Sequence, residues 1–193
     1  MLTTVPPTTS VSVPQLFAAG IGPGILLVAL GSGKPPTPPM KILMTWRDVK
    51  AIRKVWPRTL VIKGTMSVQD ARVAIEHGAD GLVVSNHGGR AMDSSLATLD
   101  VLGSIAPEVG GSTTLMMDGG IRRGSNIVKA VALGADLVLL GRAPLYGLAA
   151  AGQPGVEKAI DLLRSQLEKT MSYVGCCSVR ELGSQIFAER NEH

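Results

Sequence analysis

Four short apolar runs, each linked to the next by a segment with helical spacing, constrain the fold of this chain more than any other feature. The runs are TLVIK, DGLVVS, TTLMMD and ADLVLLG, at residues 59–63, 80–85, 113–118 and 135–141. Runs that are apolar throughout are typical of strands buried on both faces, and single helical crossovers between them favour a parallel sheet. The sequence therefore predicts an α/β fold built from four βα units.

Helices are predicted before, between and after these strands. Thr45 is suited to cap the first helix, with Asp48 in a variant of the capping box. Ser67 is a second N-cap, and His77 is expected to cap the C-terminal end of the same helix. The predicted helices cover residues 46–56, 67–78, 96–106, 124–134 and 155–175, and a short one lies near 179–187.

The number of units indicates half of a barrel. A complete (β/α)₈ TIM barrel has eight βα units and about 250 residues. The first 44 residues of this 193-residue chain are rich in Pro, Gly and Thr and show no sustained period, so they are predicted to be an irregular segment. Residues 45–193 are then predicted to be the C-terminal half of a barrel, or a truncated copy of one.

The amino-acid composition limits the kinds of partner and ligand that are expected for this chain. Aromatic residues make up 3% of the chain, and the net charge of +4 comes without a dense Lys/Arg run, so no nucleic-acid partner is expected and small phosphate or carboxylate ligands are favoured. Cys176 and Cys177 are adjacent, which fits no metal-ligand spacing and indicates a reducing compartment; both are expected to be buried or capping residues. The apolar run at residues 25–30 is far too short to span a bilayer.

Polar residues follow all four predicted strands at their C-terminal ends, which is where the working groups of a TIM barrel lie. Four such ends would gather one lysine, one histidine, three arginines and one aspartate at a single rim. The residues are Lys63 after the first strand, Ser85, Asn86, His87 and Arg90 after the second, Asp118, Gly119, Gly120 and Arg122 after the third, and Gly141 and Arg142 after the fourth.

The third and fourth strand ends are predicted to bind phosphate. DGGIRRGSN, beginning at Asp118, supplies glycines whose N–H groups can approach an anion, and then opens a helix whose N-terminus carries partial positive charge. In barrels the loops after strands seven and eight frequently hold phosphate, and these two loops occupy that place if the units are strands five to eight. The alternative is that the glycines only make tight turns and the arginines are solvated.

His87 and Arg90 suit a small acid that loses a proton. A histidine accepts a proton near neutral pH, and an arginine presents a bidentate fork to a carboxylate. On spacing alone, however, the favoured interpretation is a loop histidine bonded to the backbone beside a surface arginine. Position alone fits two roles for Lys63 equally well, because a lysine there can extend its amine into water or stabilise negative charge on a cofactor.

Several longer stretches resemble a known family. TWRDVKAIRKVWP, LVIKG, GADGLVVSNHGGRAMD and DGGIRRGSNIVKAVALGADLVLLGRAPLYGLAAAGQPGV, between about residues 45 and 182, are similar to the FMN-dependent enzymes that oxidise 2-hydroxy acids, among them glycolate oxidase, L-lactate dehydrogenase and (S)-mandelate dehydrogenase. SNHGGR is specific to that family, whereas DGGIRRG also resembles segments of other phosphate-binding barrels such as IMP dehydrogenase. The IMP dehydrogenase alternative needs a cysteine on a loop at the barrel mouth, and both cysteines instead follow the long C-terminal helix.

The resemblance implies a role for each matching residue. His87 would take the proton of an (S)-2-hydroxy acid as it becomes a 2-oxo acid, and Arg90 would hold the substrate carboxylate. Lys63 would lie beside the N1–C2=O edge of FMN and stabilise the anionic reduced flavin. The remaining matches are Ser85 as a flavin contact, Asp118 as a ribityl contact, and Gly119, Gly120, Arg122, Gly141 and Arg142 as the phosphate cradle.

Members of the family carry a whole barrel, and the residues supplied by their first four strands cannot be found in residues 1–44. The chain is therefore expected to be an inactive fragment that binds FMN or phosphate without catalysis, to act with its own copy or a complementary half-barrel, or to be part of a longer product. Homo-oligomers are common in the family. A cytoplasmic location is expected, with weak attachment to the inner face of a membrane through the apolar patch at residues 16–30 as a further expectation. The sequence does not distinguish among hydroxy acids, or among oxygen, quinone and cytochrome as electron acceptor.

Overall fold

The computed structural model describes residues 44–92 and 94–187, in which strands and helices alternate along the chain. The predicted irregular segment, including its apolar patch, lies outside these residues except for Met44. The strands are β1 (Val61–Thr65), β2 (Gly81–Val84), β3 (Thr114–Met117) and β4 (Leu137–Val138). The helices are α1 (Trp46–Val55), α2 (Val68–Glu76), α3 (Thr98–Val109), α4 (Gly124–Ala132) and α5 (Arg142–Tyr173), and 3₁₀ turns lie at His87–Gly89, Val179–Glu181 and Ser184–Ile186.

The sheet is parallel throughout, as predicted. Its strand order is β1-β2-β3-β4, so each strand pairs with the next one along the chain. The register places Val83 beside Lys63 on one side and Met116 on the other, with Leu137 next to Met116. All four strands therefore end at the same edge of the sheet.

The two faces of the sheet have different environments. Leu82, Val84 and Met117 belong to the main core, which packs against the helices. Side chains alternate along a strand, so Val61, Val83 and Met116 point to the other face. Consistent with this, a Cβ added to Gly81 would meet both Val61 and Met116 on that face. We call this second surface the inner face.

The predicted caps at Ser67 and His77 form, whereas at Thr45 only the reciprocal bonds to Asp48 form and the Thr45 side chain accepts no helix N–H. The Asp48 carboxylate accepts from the Thr45 backbone N–H and hydroxyl, both at 2.7 Å. The Ser67 hydroxyl accepts from the Asp70 N–H at 3.0 Å and begins α2. His77 ends the same helix, and its Nδ1 lies 2.8 Å from the Val73 carbonyl oxygen. These local bonds explain why the helix starts could be predicted from sequence.

Asp80 fixes the start of β1 beside the start of β2. Its carboxylate accepts from the Leu60 N–H and from Arg53 Nη1, both at 2.8 Å. The pKa of this carboxyl is lowered, chiefly by the Leu60 hydrogen bond and further by the Arg53 guanidinium. Asp80 is thus an exposed residue whose hydrogen bonds join the segments that precede β1 and β2.

Three details differ from the sequence expectations. A helix begins at Arg142 and continues to Tyr173 with a break at Ala151 and Gly152, whereas the predicted helix began only at residue 155. The predicted short helix near 179–187 is two 3₁₀ turns. Cys177 is exposed rather than buried, whereas Cys176 is partly buried and its N–H caps α5 by donating to the Met171 carbonyl at 3.0 Å, as expected.

Candidate active site

The inner face carries a polar cluster where the strands end. Lys63 Nζ lies 2.5 Å from Asp118 Oδ2 and donates to Ser85 Oγ at 2.6 Å. Ser85 is 1% exposed, and its hydroxyl also accepts from the His87 backbone N–H at 3.1 Å. One buried hydroxyl therefore joins the lysine of β1 to the loop that follows β2.

Asp118 has one oxygen engaged and one available. Oδ2 pairs with Lys63, while Oδ1 is buried and has no hydrogen-bond partner among the described residues. A buried acceptor without a partner is unusual, because such groups are nearly always hydrogen-bonded. The site therefore offers an acceptor to a ligand that brings a hydroxyl or N–H donor.

The loop after β2 has an uncommon backbone. His87, Gly88 and Gly89 have φ values of 56°, 67° and 76°, in the left-handed region. Glycine adopts it freely, but a non-glycine residue there costs on the order of 1 kcal/mol or more. The surrounding contacts must therefore hold His87 in this conformation.

Gly64 of β1 and Arg142 of α5 both contact this segment. A Cβ on Gly64 would lie 3.7 Å from His87 Cε1, so the imidazole lies directly beside β1. Arg142 Nη2 donates to the Gly88 carbonyl at 3.1 Å, and a Cβ on Gly88 would lie 2.9 Å from the same nitrogen. The loop after β2 is thus in contact with edge strand β1 and with the first residue of α5.

The loop after β3 leads into α4. Gly119 and Gly120 have φ values of 88° and 72°, and Arg122 and Arg123 both donate backbone N–H groups to Asn126 Oδ1. These two N–H groups are occupied within the chain, which modifies the expectation that this helix N-terminus is free to bind an anion. Donors available to an anion are instead the Arg122 guanidinium and backbone N–H groups nearer the strand ends.

Gly120 and Gly141 supply such groups. No described residue accepts a hydrogen bond from either N–H, and a Cβ on either glycine would meet nothing within 4 Å. The backbone is therefore open to a ligand at both positions.

A cleft of about 890 Å³ connects these features. Eight of the ten predicted site residues line it, and the other two, Lys63 and Ser85, contact Asp118 or the His87 loop from behind. The eight are His87, Arg90, Asp118, Gly119, Gly120, Arg122, Gly141 and Arg142.

Part of the cleft wall was not predicted. Its apolar lining comes from Leu139 after β4 and from α5, including Tyr146 and Leu162, and Gln166 contributes a polar group. Gln166 Oε1 accepts from the Gly124 N–H at 3.0 Å. Pro144 gave a usable signal for the start of α5, because proline is tolerated in the first turn of a helix.

The sequence and the fold were compared with known proteins. Residues 35–189 match the family model of the FMN-dependent dehydrogenases. The chain belongs to this family.

Curated relatives include a peroxisomal (S)-2-hydroxyacid oxidase of Arabidopsis thaliana, 42% identical over 77% of this chain and 41% of its own length. An L-lactate oxidase of Nostoc is 45% identical over 74% of this chain and 39% of its length. The (S)-mandelate dehydrogenase of Pseudomonas putida is 43% identical over 74% of this chain and 36% of its length. The chain thus spans about two fifths of the length of these relatives.

Solved structures agree. A soluble mutant of the membrane-associated Pseudomonas putida enzyme aligns with a TM-score of 0.74 and 38% identity, over 86% of this chain and 45% of that one. Mandelate oxidase with benzoyl-formic acid aligns with a TM-score of 0.67 and 43% identity, over 72% of this chain and 44% of that one. The prediction that the chain is part of a TIM-barrel flavoprotein of this family is confirmed.

FMN is the cofactor of the family, and the residues present fit it. The free oxygen of Asp118 suits a ribityl hydroxyl. Open backbone at Gly120 and Gly141, beside the guanidinium groups of Arg122 and Arg142, suits a phosphate. The individual residue roles remain predictions.

Proposed function

We propose that this chain carries the catalytic half of an FMN-dependent enzyme that oxidises a small (S)-2-hydroxy acid to a 2-oxo acid. The observation that carries the proposal is the single cleft lined by His87 and Arg90 together with Asp118 and the glycine–arginine pairs of two neighbouring loops. A proton acceptor and a carboxylate clamp thus lie beside a site suited to FMN. Family membership supports the same reaction class.

His87 and Arg90 have complementary tasks in this reaction. The Arg90 guanidinium binds the substrate carboxylate, which fixes the position of the neighbouring carbon. The imidazole of His87 takes the proton of the 2-hydroxyl group as the carbon becomes a carbonyl. FMN, when bound, would accept the two electrons together with the hydrogen that leaves the 2-carbon of the substrate.

Lys63 provides positive charge behind these groups. Its ammonium is held between Ser85 and Asp118 at 2.6 and 2.5 Å, so its position is fixed before any ligand binds. A fixed charge stabilises negative charge that develops nearby at little reorganisation cost. Gly119, Gly120, Arg122, Gly141 and Arg142 are proposed to hold the phosphate of FMN.

The complete active unit is proposed to contain further strands. Two leucines at the β4 edge are partly exposed to solvent. Leu137, on the inner face, is 45% exposed, and Leu139, beside it, is 37% exposed. An open sheet with apolar residues on its uncovered face favours pairing with further strands. We propose that a second half-barrel, from another copy or a complementary chain, covers this face, and that residues 45–193 form the C-terminal half while residues 1–44 are a separate irregular segment.

This open face also favours a second candidate function. Without the covering half, the chain binds FMN or phosphate and does not oxidise substrate.

A cytoplasmic location with weak peripheral membrane attachment is part of the proposal. Within residues 44–92 and 94–187, no helix is both long and apolar enough to cross a bilayer.

The test is an anaerobic absorbance measurement on the purified full chain with added FMN, before and after addition of L-lactate or (S)-mandelate. Bleaching of the protein-bound flavin band supports catalysis. Bound flavin that does not bleach supports the binding-only alternative, and absence of bound flavin contradicts both.

A pair of histidine variants tests the role of His87. His87→Ala is expected to lower the rate of flavin reduction by about 100- to 10,000-fold while flavin remains bound. His77→Ala is the matched control, because His77 caps α2 outside the cleft, and it is expected to retain the wild-type rate. Full turnover by His87→Ala would exclude the proposed proton transfer.

A further inference from the structure

We infer that Asn86 is the positioning residue for His87. The inference rests on the proposed function, since positioning matters only if His87 accepts the substrate proton. Asn86 lies between buried Ser85 and the left-handed segment that starts at His87. Its own backbone is not left-handed, with φ −98° and ψ 21°.

Asn86 supplies acceptors for two consecutive N–H groups of the loop. Its side-chain Oδ1 accepts from the Gly88 N–H at 2.9 Å, and its backbone carbonyl accepts from the Gly89 N–H at 3.0 Å. The first bond is an Asx turn, in which an Asn side chain replaces a backbone acceptor and tolerates a tight reversal. His87 is the residue enclosed by this turn, so the Oδ1 bond directly restrains its backbone.

The other N–H groups of the segment are also satisfied. The His87 N–H donates to Ser85 Oγ at 3.1 Å, and the Arg90 N–H is 3.4 Å from the His87 carbonyl oxygen. Four successive N–H groups thus have partners, and the only one bonded to an Asn side chain is that of Gly88. Removal of this acceptor leaves the Gly88 N–H without its partner and opens the turn that encloses the strained histidine.

The other end of the Asn86 side chain is anchored. Nδ2 donates to the Leu96 carbonyl at 3.1 Å, at the point where the chain approaches α3. A Cβ on Gly119 would lie 3.1 Å from Asn86 Oδ1, so the loop after β3 packs against the same amide. Asn86 therefore joins the histidine loop to two other segments of the site without lining the cleft.

Three variants separate the contributions of the amide. Asn86→Ala removes both side-chain bonds. Asn86→Asp keeps an oxygen for the Gly88 N–H, loses the donor to Leu96 and adds a negative charge. Ser67→Ala removes a helix cap outside the cleft and controls for a general loss of stability.

The first readout is amide hydrogen exchange of the full chain. Asn86→Ala is expected to lower the protection of Gly88 at least tenfold, while Asn86→Asp and Ser67→Ala leave it within about threefold of wild type. Unchanged protection of Gly88 in Asn86→Ala overturns the inference. This readout needs no turnover, so it decides the question even if the wild-type chain does not reduce flavin and the proposed function fails.

The second readout is the rate constant of flavin reduction per bound flavin. A displacement on the order of 1 Å at a reacting group costs up to about 100-fold, so a loss of about 10- to 100-fold is expected for Asn86→Ala, with FMN affinity within threefold of wild type. Asn86→Asp is expected to recover most of the rate. A merely structural role lowers the amount of bound flavin and leaves the rate per flavin unchanged.

A double variant links the effect to His87. In the His87→Ala background, Asn86→Ala is expected to change the residual rate by less than about twofold, because the group that it positions is absent. An additional loss as large as that seen with His87 present would mean that Asn86 acts elsewhere, and would overturn the inference.

Discussion

The N-terminus of α4 packs directly on α5 at Gly124, and this contact allows a prediction with a definite sign. A Cβ at Gly124 would lie 2.7 Å from the Leu163 carbonyl oxygen and well inside contact distance of the Leu167 backbone nitrogen. These are backbone atoms, which cannot rotate away as a side chain can. Gly124→Ala therefore requires the two helices to move apart.

The magnitude follows from the same geometry. Overpacking by one methylene typically costs about 1–3 kcal/mol. We expect Gly124→Ala to lower the free energy of unfolding by about 3 kcal/mol, the upper end of that range, because it also disturbs the Gly124 N–H bond to Gln166.

Gly103 provides the matched control. It lies within α3, and a Cβ there would meet only the Leu133 Cδ2 atom at an ordinary 3.5 Å. Gly103→Ala is expected to raise the free energy of unfolding by about 0.5–1 kcal/mol, because alanine loses less backbone entropy in a helix. The same substitution thus has opposite effects at two glycines.

Urea denaturation of the full-length chain, followed by far-UV circular dichroism, measures both values. A loss below about 1 kcal/mol for Gly124→Ala would refute the close contact between α4 and α5. Destabilisation by Gly103→Ala would instead show that the space around a glycine does not set the sign of the effect.

Three further predictions concern the rest of the described fold. The pKa of Asp80 is lowered in the folded state, so the ionised carboxylate stabilises the fold above the ordinary carboxyl pKa, and this stabilisation is lost as pH falls through the folded-state pKa. Asp80→Asn should therefore have a smaller free energy of unfolding than wild type at pH 7. The difference, measured by denaturant titration, should shrink towards pH 2. Leu102→Ala, at a fully buried position, should lower the free energy of unfolding by about 2–5 kcal/mol. Val55→Ala, at an 80% exposed position, should change it by no more than about 0.5 kcal/mol in the same titration. Leu137→Glu should reduce assembly of the full chain in light scattering if the inner face is covered, and an unchanged mass distribution would contradict that proposal.

The sequence predicted the sheet well because each strand is an apolar run bounded by polar or glycine residues. The start of β1 was placed two residues early, at Thr59 instead of Val61. The reason is local, since the Thr59 carbonyl accepts from Trp56 Nε1 at 3.1 Å and Leu60 bonds to Asp80. These side-chain bonds hold the segment outside the ladder, and no apolar pattern encodes them.

The candidate site could be located from sequence to a similar degree. The strand-end rule brought His87, Arg90 and Asp118 together in advance, because parallel strands end at one edge. The family resemblance implied that Ser85 is a flavin contact, which stays a prediction; in this structure the Ser85 hydroxyl bonds Lys63 and the His87 N–H. The strand-end rule did not distinguish Asn86 from its neighbours, since an Asx turn depends on the conformation of the loop rather than on residue spacing.

Strand β4 shows how far the local sequence determines the structure of an edge. An apolar run of seven residues predicted a strand over residues 135–141, yet only Leu137–Val138 pair with β3. In the described part of the chain, β4 has a ladder partner on one side only, whereas β2 is paired on both sides over its whole length. β1 is the other edge strand and is five residues long, so the edge position of β4 does not by itself account for its short length. The same edge leads into Leu139 and Gly141 of the cleft. A further strand paired with β4 would therefore lie beside the wall of the cleft that is nearest the proposed phosphate site, and assembly of the barrel and FMN binding would share this wall.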